Sequence, residues 1–305
     1  HRRVGTWKQV AEALRFAPSL NARNVAMQGW LTLDAARRLF TAAGKDYDRA
    51  KAAAVRQDFQ PITLGAKASF TVDNVLRPVA SRNVVALLPG ADPQLRDEYI
   101  IYTAHWDHLG RDPRLPGDQI FNGAADNAAG VAVLLELARA FTELPPDQRP
   151  KRSILFLSVT AEEKGLLGSR YYAQDPLYPL AKTLANINMD GANQFGPTSD
   201  MATIGYGAST IDDIGIAVAA AQGRTMQPEA RPENGSYYRS DHFEFAKVGV
   251  PSYYPKSGRR FIGQPADFAD KHVNDYIANR YHKVTDEVQP DWTFEGAAQD
   301  TVFLL

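Results

Sequence analysis

Cysteine is absent from this sequence of 305 residues. Its absence excludes disulfide bonds, thiolate zinc sites and a cysteine nucleophile. Any metal ion must therefore be bound by histidine, aspartate or glutamate, and the sequence has only six histidines.

Long apolar runs and an excess of positive charge are missing as well. No stretch approaches the roughly 18 apolar residues that a membrane span needs, and the most apolar runs, such as residues 153–159, have the length of buried strands. The formal net charge is −1 at pH 7, and the charged residues are dispersed. We therefore expect neither a membrane nor a nucleic acid as a partner.

The composition, with 44% hydrophobic and 23% charged residues, is typical of a globular protein. The chain starts at His1 rather than at a methionine. Together with the absence of cysteine, this start favours a periplasmic or secreted protein whose signal peptide has been removed. Nothing in the sequence indicates an oligomeric state.

From about residue 83 onward, apolar strand-like runs alternate with runs of helical spacing. Val131, Leu134 and Ala138 follow the helical period, and residues 211–221 follow it again. The predicted strands cover residues 83–88, 99–104, 153–159, 184–189 and 201–206. This alternation predicts an α/β fold, a three-layer sandwich with a central mixed, mostly parallel sheet flanked by helices.

The first part of the chain has a different character. Residues 33–54 are rich in alanine and predict two short surface helices broken at Gly44, and residues 61–78 predict extended chain leading into the first strand. We therefore predict an N-terminal segment, residues 1–82, ahead of a larger α/β domain, residues 83–305.

Three of the predicted strands are followed by side chains that can bind a metal. His105 and Asp107 follow the second strand, Glu162 and Glu163 the third, and Asp190 the fourth. Ligands bind at the carboxyl ends of strands in open α/β sheets, so we expect these side chains at one edge. Asp107, two residues after His105, could accept a hydrogen bond from its imidazole. Two adjacent carboxylates repel each other, which indicates a compensating cation.

Two further residues become candidate metal ligands when they are considered together with the side chains at the strand ends. By itself Asp126 is typical of a helix N-cap. His282 by itself would indicate a loop, and Asp286 nearby is a possible carboxylate to orient its ring. With the strand-end residues they complete a set of five nitrogen and oxygen ligands. Such a set suits two zinc ions bridged by one carboxylate, each with one histidine and one further carboxylate. Cobalt or manganese would accept the same ligands.

The order and spacing of these residues resemble those of the M28 family of zinc aminopeptidases, over residues 83–291. The resemblance implies a centre of two Zn²⁺ ions with Asp126 as the bridge. His105 and Asp190 would complete one ion, and Glu163 and His282 would complete the other.

The resemblance also implies roles in catalysis. Asp107 would orient His105, Glu162 would act as the general base, and Tyr281 would steady the tetrahedral oxyanion. The implied activity is hydrolysis of N-terminal residues from peptide substrates by metal-activated water.

The remaining histidines stand outside this pattern. We expect His108 to support the site or line a pocket, and His242 to be structural or to face the substrate. His1 and His272 have no motif around them and are expected to be solvated. Residues 1–82 resemble at most a shortened remnant of the protease-associated domain that many family members carry.

Three other functions stay open on the sequence alone. A glutaminyl cyclase-like aminoacyltransferase shares this fold but has a tryptophan-rich pocket, and only Trp106 lies near a motif here. A carboxypeptidase for acidic C-termini would need clustered arginines, for which Arg239, Arg259 and Arg260 are candidates. A non-catalytic interaction domain would have lost its ligands, whereas all five and Glu162 are present.

Overall fold

A computed structural model of the chain describes residues 31–69, 71 and 79–305. The described residues divide into two compact units, a smaller one with residues 31–69 and 71 and a larger one with residues 79–305. His1 and the first part of the predicted N-terminal segment, residues 1–30, lie outside the described residues.

Two short helices form the regular structure in the described part of the smaller unit. They are α1, Leu33–Ala42, and α2, Tyr47–Ala53. Thr32 and Asp46 cap them by accepting hydrogen bonds from N–H groups three residues further on. Gly44, at φ +68°, turns the chain between them, so the predicted pair of helices is confirmed. The predicted extended stretch has no regular secondary structure at residues 61–69 and 71, and its remainder lies outside the described residues.

The larger unit is built around a central sheet. Its strands are β1 Val84–Leu88, β2 Tyr99–His105, β3 Gly110–Arg111, β4 Ile120–Phe121, β5 Ser153–Val159, β6 Thr183–Asn188, β7 Asp200–Ile204, β8 Thr225–Pro228 and β9 Ser252–Ser257. Seven of them form one sheet in the order β1-β5-β2-β6-β9-β7-β8, and β3 pairs with β4. β1 is antiparallel to β5 and β7 to β9, while the other neighbours in the large sheet are parallel. The predicted mixed, mostly parallel sheet is confirmed.

Helices cover both faces of this sheet. They are α3 Ala129–Glu143, α4 Leu167–Gln174, α5 Ile211–Ala221, α6 His242–Ala246, α7 Phe268–Asn279 and α8 Glu295–Leu304. Successive side chains of a strand point to opposite faces, so Phe156 joins Leu137 of α3 in one core while Leu155 joins Phe245 of α6 in the other. None of the described helices has both the length and the apolarity needed to cross a membrane. The predicted three-layer arrangement is confirmed.

The five predicted strands are present, each within two residues at its ends, and the helix predicted at residues 211–221 is α5. β8 and β9 were not predicted. β9 contains Pro255 and Lys256, so it lacks the uninterrupted apolar pattern that identifies a buried strand. It nevertheless lies between β6 and β7 in the sheet.

Candidate metal centre

The carboxyl ends of three neighbouring parallel strands meet at one edge of the sheet. β2 lies between β5 and β6, and its last residue, His105, pairs with Val159 at the end of β5. Glu162 and Glu163 begin a 3₁₀ turn soon after β5, and Asp190 comes two residues after β6. Parallel pairing therefore brings these side chains to the same edge, as the sequence predicts.

Asp126 lies in a turn, Ala124–Ala128, that leads into α3, and its side chain does not cap that helix. The turn is held by Asp286, which is fully buried. The two carboxylate oxygens of Asp286 accept hydrogen bonds from the N–H groups of Ala125 and Asp126, each at 3.1 Å. Asp286 thus positions the Asp126 turn rather than the ring of His282, which corrects the prediction.

A buried amide ties this turn to the loop that carries Asp190. Asn127 is 2% exposed, and its Nδ2 donates to the backbone oxygen of Met189 at 3.0 Å. Its Oδ1 accepts hydrogen bonds from the N–H groups of Gly130 at 2.9 Å and Gly191 at 2.7 Å. These contacts fix the spacing between the two aspartates. Asn127 cannot be identified from the sequence, because no motif marks a side chain that hydrogen-bonds only to the backbone.

The five predicted ligands come together in one cluster. His105 Nε2 lies 3.2 Å from Asp126 Oδ1 and 3.4 Å from Asp190 Oδ1. His282 Nε2 lies 3.3 Å from Asp126 Oδ2 and 3.0 Å from Glu163 Oε2. The two oxygens of Asp126 therefore face two different pairs of imidazole and carboxylate.

The cluster has the chemistry of a metal site. Two groups of side chains have ligand atoms within 4.8 Å of one another, and Asp126 belongs to both: the first adds His105 and Asp190, the second His108 and Glu163. His105 Nε2 and Glu163 Oε1 are buried and make no aligned hydrogen bond among the described residues. Buried polar atoms normally have a partner, and nitrogen and oxygen ligands of this kind bind zinc. The residues present therefore fit a zinc centre.

The imidazole of His105 is oriented by the main chain that follows it. Its Nδ1 lies 3.0 Å from the backbone oxygen of Asp107, whereas the nearest carboxylate oxygen of Asp107 is 4.0 Å away. The predicted hydrogen bond to the Asp107 side chain is therefore wrong, and the main-chain oxygen takes its place. The Asp107 carboxylate instead accepts a hydrogen bond from the N–H of Glu162 at 3.3 Å, which joins the end of β2 to the turn after β5.

Glu162 and Glu163 are neighbours whose pKa values move in opposite directions. Burial, and then the negative charge of Asp190, raise the pKa of Glu162 to about 10. Burial acts in the same sense on Glu163, but its contacts with His108 and His282 outweigh burial and lower its pKa. When two neighbouring carboxyl groups have such different pKa values, one can hold a proton while the other binds a cation.

Asp190 is held by two contacts that no sequence motif indicates. Ser240 Oγ donates to Asp190 Oδ2 at 2.7 Å, and Lys256 Nζ donates to the backbone oxygen of Asp190. Burial opposes ionisation of Asp190, but the contact with His105 and the charge of Lys256 lower its pKa well below its ordinary range. For Asp126, the contacts with two histidines likewise outweigh burial and lower the pKa to about 2. Both carboxyl groups are charged and available to a cation.

The histidines outside the predicted ligand set differ in their surroundings. His242 is fully buried, with ring centroids of Tyr237 at 5.0 Å and Tyr254 at 4.8 Å, and burial lowers its pKa to about 4. The prediction that His272 is solvated is met only in part. This residue is half-buried, its ring lies 4.3 Å from that of Phe195, and both side chains line the cleft over the cluster.

This cleft has a volume of about 780 Å³. One wall carries Tyr276 and Tyr281, and the ring of Tyr281 stacks on that of His282 at 3.9 Å. Arg239 and Lys256 add positive charge, and no tryptophan is among the described lining residues. The tryptophan-rich pocket expected of a glutaminyl cyclase is therefore not found in the described part of the cleft.

The three arginines proposed for a carboxypeptidase pocket do not form a cluster. Arg239 lines the cleft. Arg259 pairs with Asp270, and the Nε of Arg260 lies 3.4 Å from Asp200 Oδ2. One of the three candidates is therefore placed to meet a substrate.

Comparison with known proteins gives the family. The family model described as Peptidase family M28 matches residues 83–305. Over 130 residues the chain is 37% identical to the aminopeptidase NAALADL1 of Mus musculus, a match covering 41% of this chain and 16% of the mouse protein. It is 37% identical over 119 residues to a probable zinc metalloprotease of Pyrenophora teres f. teres, covering 39% of this chain and 24% of that one. It is 33% identical over 141 residues to a probable glutamate carboxypeptidase of Arthroderma benhamiae, covering 45% of this chain and 17% of that one.

The solved structures agree in fold. LapB from Legionella pneumophila has a TM-score of 0.53 at 19% identity, with 98% of this chain and 69% of that chain covered. At this identity the likeness concerns the fold alone, and the matches to the three curated relatives span less than a quarter of each relative. The family model, in contrast, covers well over half of this chain and includes every residue of the cluster. The chain therefore belongs to peptidase family M28, a family of zinc metallopeptidases.

Proposed function

We propose that this M28 peptidase is an exopeptidase that removes N-terminal residues from peptides at a centre of two zinc ions. The observation that carries the proposal is the orientation of Asp126. Its Oδ1 lies 3.2 Å from His105 Nε2, and its Oδ2 lies 3.3 Å from His282 Nε2. A carboxylate turned toward two imidazoles suits a bridge between two cations, with Asp190 and Glu163 as the further ligands.

The residues around this cluster fit hydrolysis. Zinc ions bound here would polarise a substrate carbonyl and lower the pKa of water. Glu162 lines the same cleft next to the proposed ligand Glu163, where its carboxylate could take a proton from water and give it to the leaving amine. Tyr281, stacked on His282, lines the cleft where its hydroxyl could donate to the developing oxyanion.

Removal of N-terminal residues requires a negative group for the free amine of the substrate. The acidic side of the cleft, which includes Glu162, Glu163 and Asp190, can supply it. Lys256 donates a hydrogen bond to the backbone oxygen of Asp190, so its ammonium group already has a partner within the chain. The name of the mouse relative, an aminopeptidase, supports the same specificity.

A carboxypeptidase is the second candidate. Arg239 lines the cleft and could bind a substrate carboxylate, and one relative is named a probable glutamate carboxypeptidase. The other two candidate arginines pair with aspartates of the chain, which makes this function the weaker proposal.

A substrate panel separates these functions. We expect hydrolysis of aminoacyl-nitroanilides that a chelator abolishes, with no release of residues from N-terminally blocked peptides. Release of C-terminal glutamate from blocked peptides would identify a carboxypeptidase instead. Cyclisation of N-terminal glutamine without hydrolysis would identify an aminoacyltransferase.

Metal analysis tests the two-ion centre separately. The wild-type chain should hold two zinc ions, and Asp126→Ala should lose both because the bridging carboxylate serves each. Asp213→Ala, an exposed aspartate at the start of α5, is the matched control and should keep both ions. Two zinc ions in the Asp126→Ala variant would refute the bridge.

A further inference from the structure

Arg239 is a positively charged side chain of the cleft that has no acidic partner among residues 31–69, 71 and 79–305. It is exposed, it lines the cleft, and its guanidinium makes no hydrogen bond or ion pair with those residues. The other guanidinium or ammonium group among the described lining residues is that of Lys256, which donates to the backbone oxygen of Asp190. Arg239 is therefore the cation of the described cleft that stays available to a substrate.

The main chain places Arg239 beside the metal cluster. It directly precedes Ser240, whose hydroxyl donates to Asp190 Oδ2 at 2.7 Å. Burial raises the pKa of Tyr281 to about 12, and the charge of Arg239 acts in the opposite sense on the same hydroxyl. Because the ring of Tyr281 stacks on that of His282 at 3.9 Å, Arg239 faces the same space as the proposed ligands.

The cleft thus offers charges of both signs to one small molecule. Its carboxylates, Glu162, Glu163 and Asp190, can meet a free amine, and Arg239 can meet a carboxylate. A guanidinium donates two parallel hydrogen bonds to a carboxylate, which gives both charge and direction to the contact. Two residues of extended chain span about 7 Å at most. The amine and the C-terminal carboxylate of a dipeptide could therefore both bind within this one cleft.

We propose that Arg239 binds the C-terminal carboxylate of dipeptide substrates, so that the chain prefers dipeptides to longer or C-terminally blocked peptides. This inference rests on the proposed removal of N-terminal residues and names its substrate class. A C-terminal amide, or the next peptide bond of a longer substrate, brings no charge to the guanidinium. The substrate also needs its free amine, which distinguishes this contact from that of a carboxypeptidase.

Paired substrates test the assignment. We expect the wild-type chain to favour leucyl-glycine over leucyl-glycine amide in kcat/KM by at least about tenfold, mainly through KM, because the free carboxylate gains charge-assisted hydrogen bonds. Arg239→Gln should bring this ratio close to one. Arg239→Lys keeps the charge but loses the forked donor, so it should retain part of the preference. Arg231→Gln is the control, since Arg231 is exposed and outside the described lining of the cleft, and it should keep the full ratio.

Two results would overturn the assignment. If Arg239 served only the Tyr281 hydroxyl, Arg239→Gln would lower kcat for both substrates equally and leave their ratio unchanged. If Arg239 bound an acidic side chain, it would give a preference for leucyl-glutamate amide over leucyl-glutamine amide, and none for leucyl-glycine over its amide.

Binding measured without turnover keeps this test separate from the proposed function. In calorimetric titrations of the Glu162→Gln chain, leucyl-glycine should bind at least about tenfold more tightly than its amide, and adding Arg239→Gln should abolish the difference. Equal Kd values for the two peptides would contradict the assignment. An intact difference in Kd together with no hydrolysis by the wild-type chain would refute the proposed function alone. Equal melting temperatures of the Arg239 variants and wild type would show that the fold is retained.

Discussion

Glu162 and Glu163 show how neighbouring residues of one type acquire different chemistry. Both follow β5, yet Glu163 lies between two imidazoles, whereas the N–H of Glu162 donates a hydrogen bond to the Asp107 carboxylate and no ion pair of Glu162 is found among the described residues. Their pKa values are displaced in opposite directions for this reason. The roles that we propose for them, base and ligand, depend on surroundings that residue type alone does not reveal.

Replacing the proposed base should separate catalysis from metal binding. Glu162→Gln keeps the size of the side chain but removes its ability to accept a proton, so kcat should fall at least about a hundredfold while both metals stay bound. Steady-state kinetics with metal analysis would check this. Glu136→Gln, on the exposed side of α3, is the control and should have wild-type kinetics. Unchanged turnover in Glu162→Gln would exclude the assignment.

His242 makes stability depend on pH. Burial lowers its folded-state pKa to about 4 from an ordinary 6.5. Below pH 6.5 the unfolded chain binds a proton at His242 that the folded chain does not bind. The free energy of unfolding therefore has its full value above pH 6.5 and decreases as the pH falls to 4. The loss amounts to about 3 kcal/mol.

A variant that cannot titrate isolates this effect. His242→Phe keeps an aromatic ring between Tyr237 and Tyr254, so the metal-free variant should fold and lose less stability than metal-free wild type between pH 6.5 and 4. Urea unfolding at several pH values would measure both curves. Parallel curves would show that His242 does not control this dependence.

At the scale of elements, the position of Asp126 in the cluster depends on the turn before α3 rather than on a strand. The strands bring three side chains to one edge, but Asp126 reaches them from a turn that Asp286 and Asn127 hold through backbone contacts. The partners in the Asp286 contact are 161 residues apart in the chain. Local patterns could predict that a helix begins here, but not that its first turn would be fixed from the C-terminal loop.

Removing the Asn127 amide should therefore affect both stability and metal binding. Asn127→Ala leaves the buried N–H of Gly130 and the partly buried N–H of Gly191 without their acceptor, at a cost of roughly 1–3 kcal/mol each. We expect a total loss of at least about 3 kcal/mol in urea unfolding and weaker zinc binding in titrations. Asn279→Ala, whose exposed side chain donates to Asp275, should change stability by less than about 0.5 kcal/mol. Comparable values for the two variants would contradict this role.

For the whole molecule, the proposed metal centre joins segments that are distant in the sequence. Its ligands come from the ends of β2 and β6, the turns after β5 and before α3, and the loop after α7. Without cations, Asp126, Glu163 and Asp190 would repel one another. Binding zinc should therefore stabilise the fold as well as serve catalysis.

Removal of metal should lower the melting temperature. An ion at a hundred times its Kd stabilises by about 2.7 kcal/mol, which corresponds to a shift of roughly 5–10 °C for a domain of this size. Calorimetry before and after chelation, and after zinc is restored, would measure it. Asp126→Ala should show no zinc-dependent shift, and a wild-type chain indifferent to chelation would contradict the idea.

The sequence by itself determined the kind of ligand and the order of the main elements. Without cysteine, only histidine and carboxylates could hold a metal, and continuous apolar runs gave five strands because strand periodicity is local to each segment. Family resemblance then selected the ligand set, and the role of the N-terminal residues stays a prediction.

Only the tertiary structure decided which groups meet. In the structure the Pro-containing β9 lies inside the sheet, and Asp286 accepts hydrogen bonds from the Asp126 turn. The ring of His105 contacts the backbone oxygen of Asp107, and His108 lies against Glu163. The physical reason is that burial and loop packing bring together residues that are far apart in the sequence, whereas a sequence pattern reports only the secondary structure that each segment favours by itself.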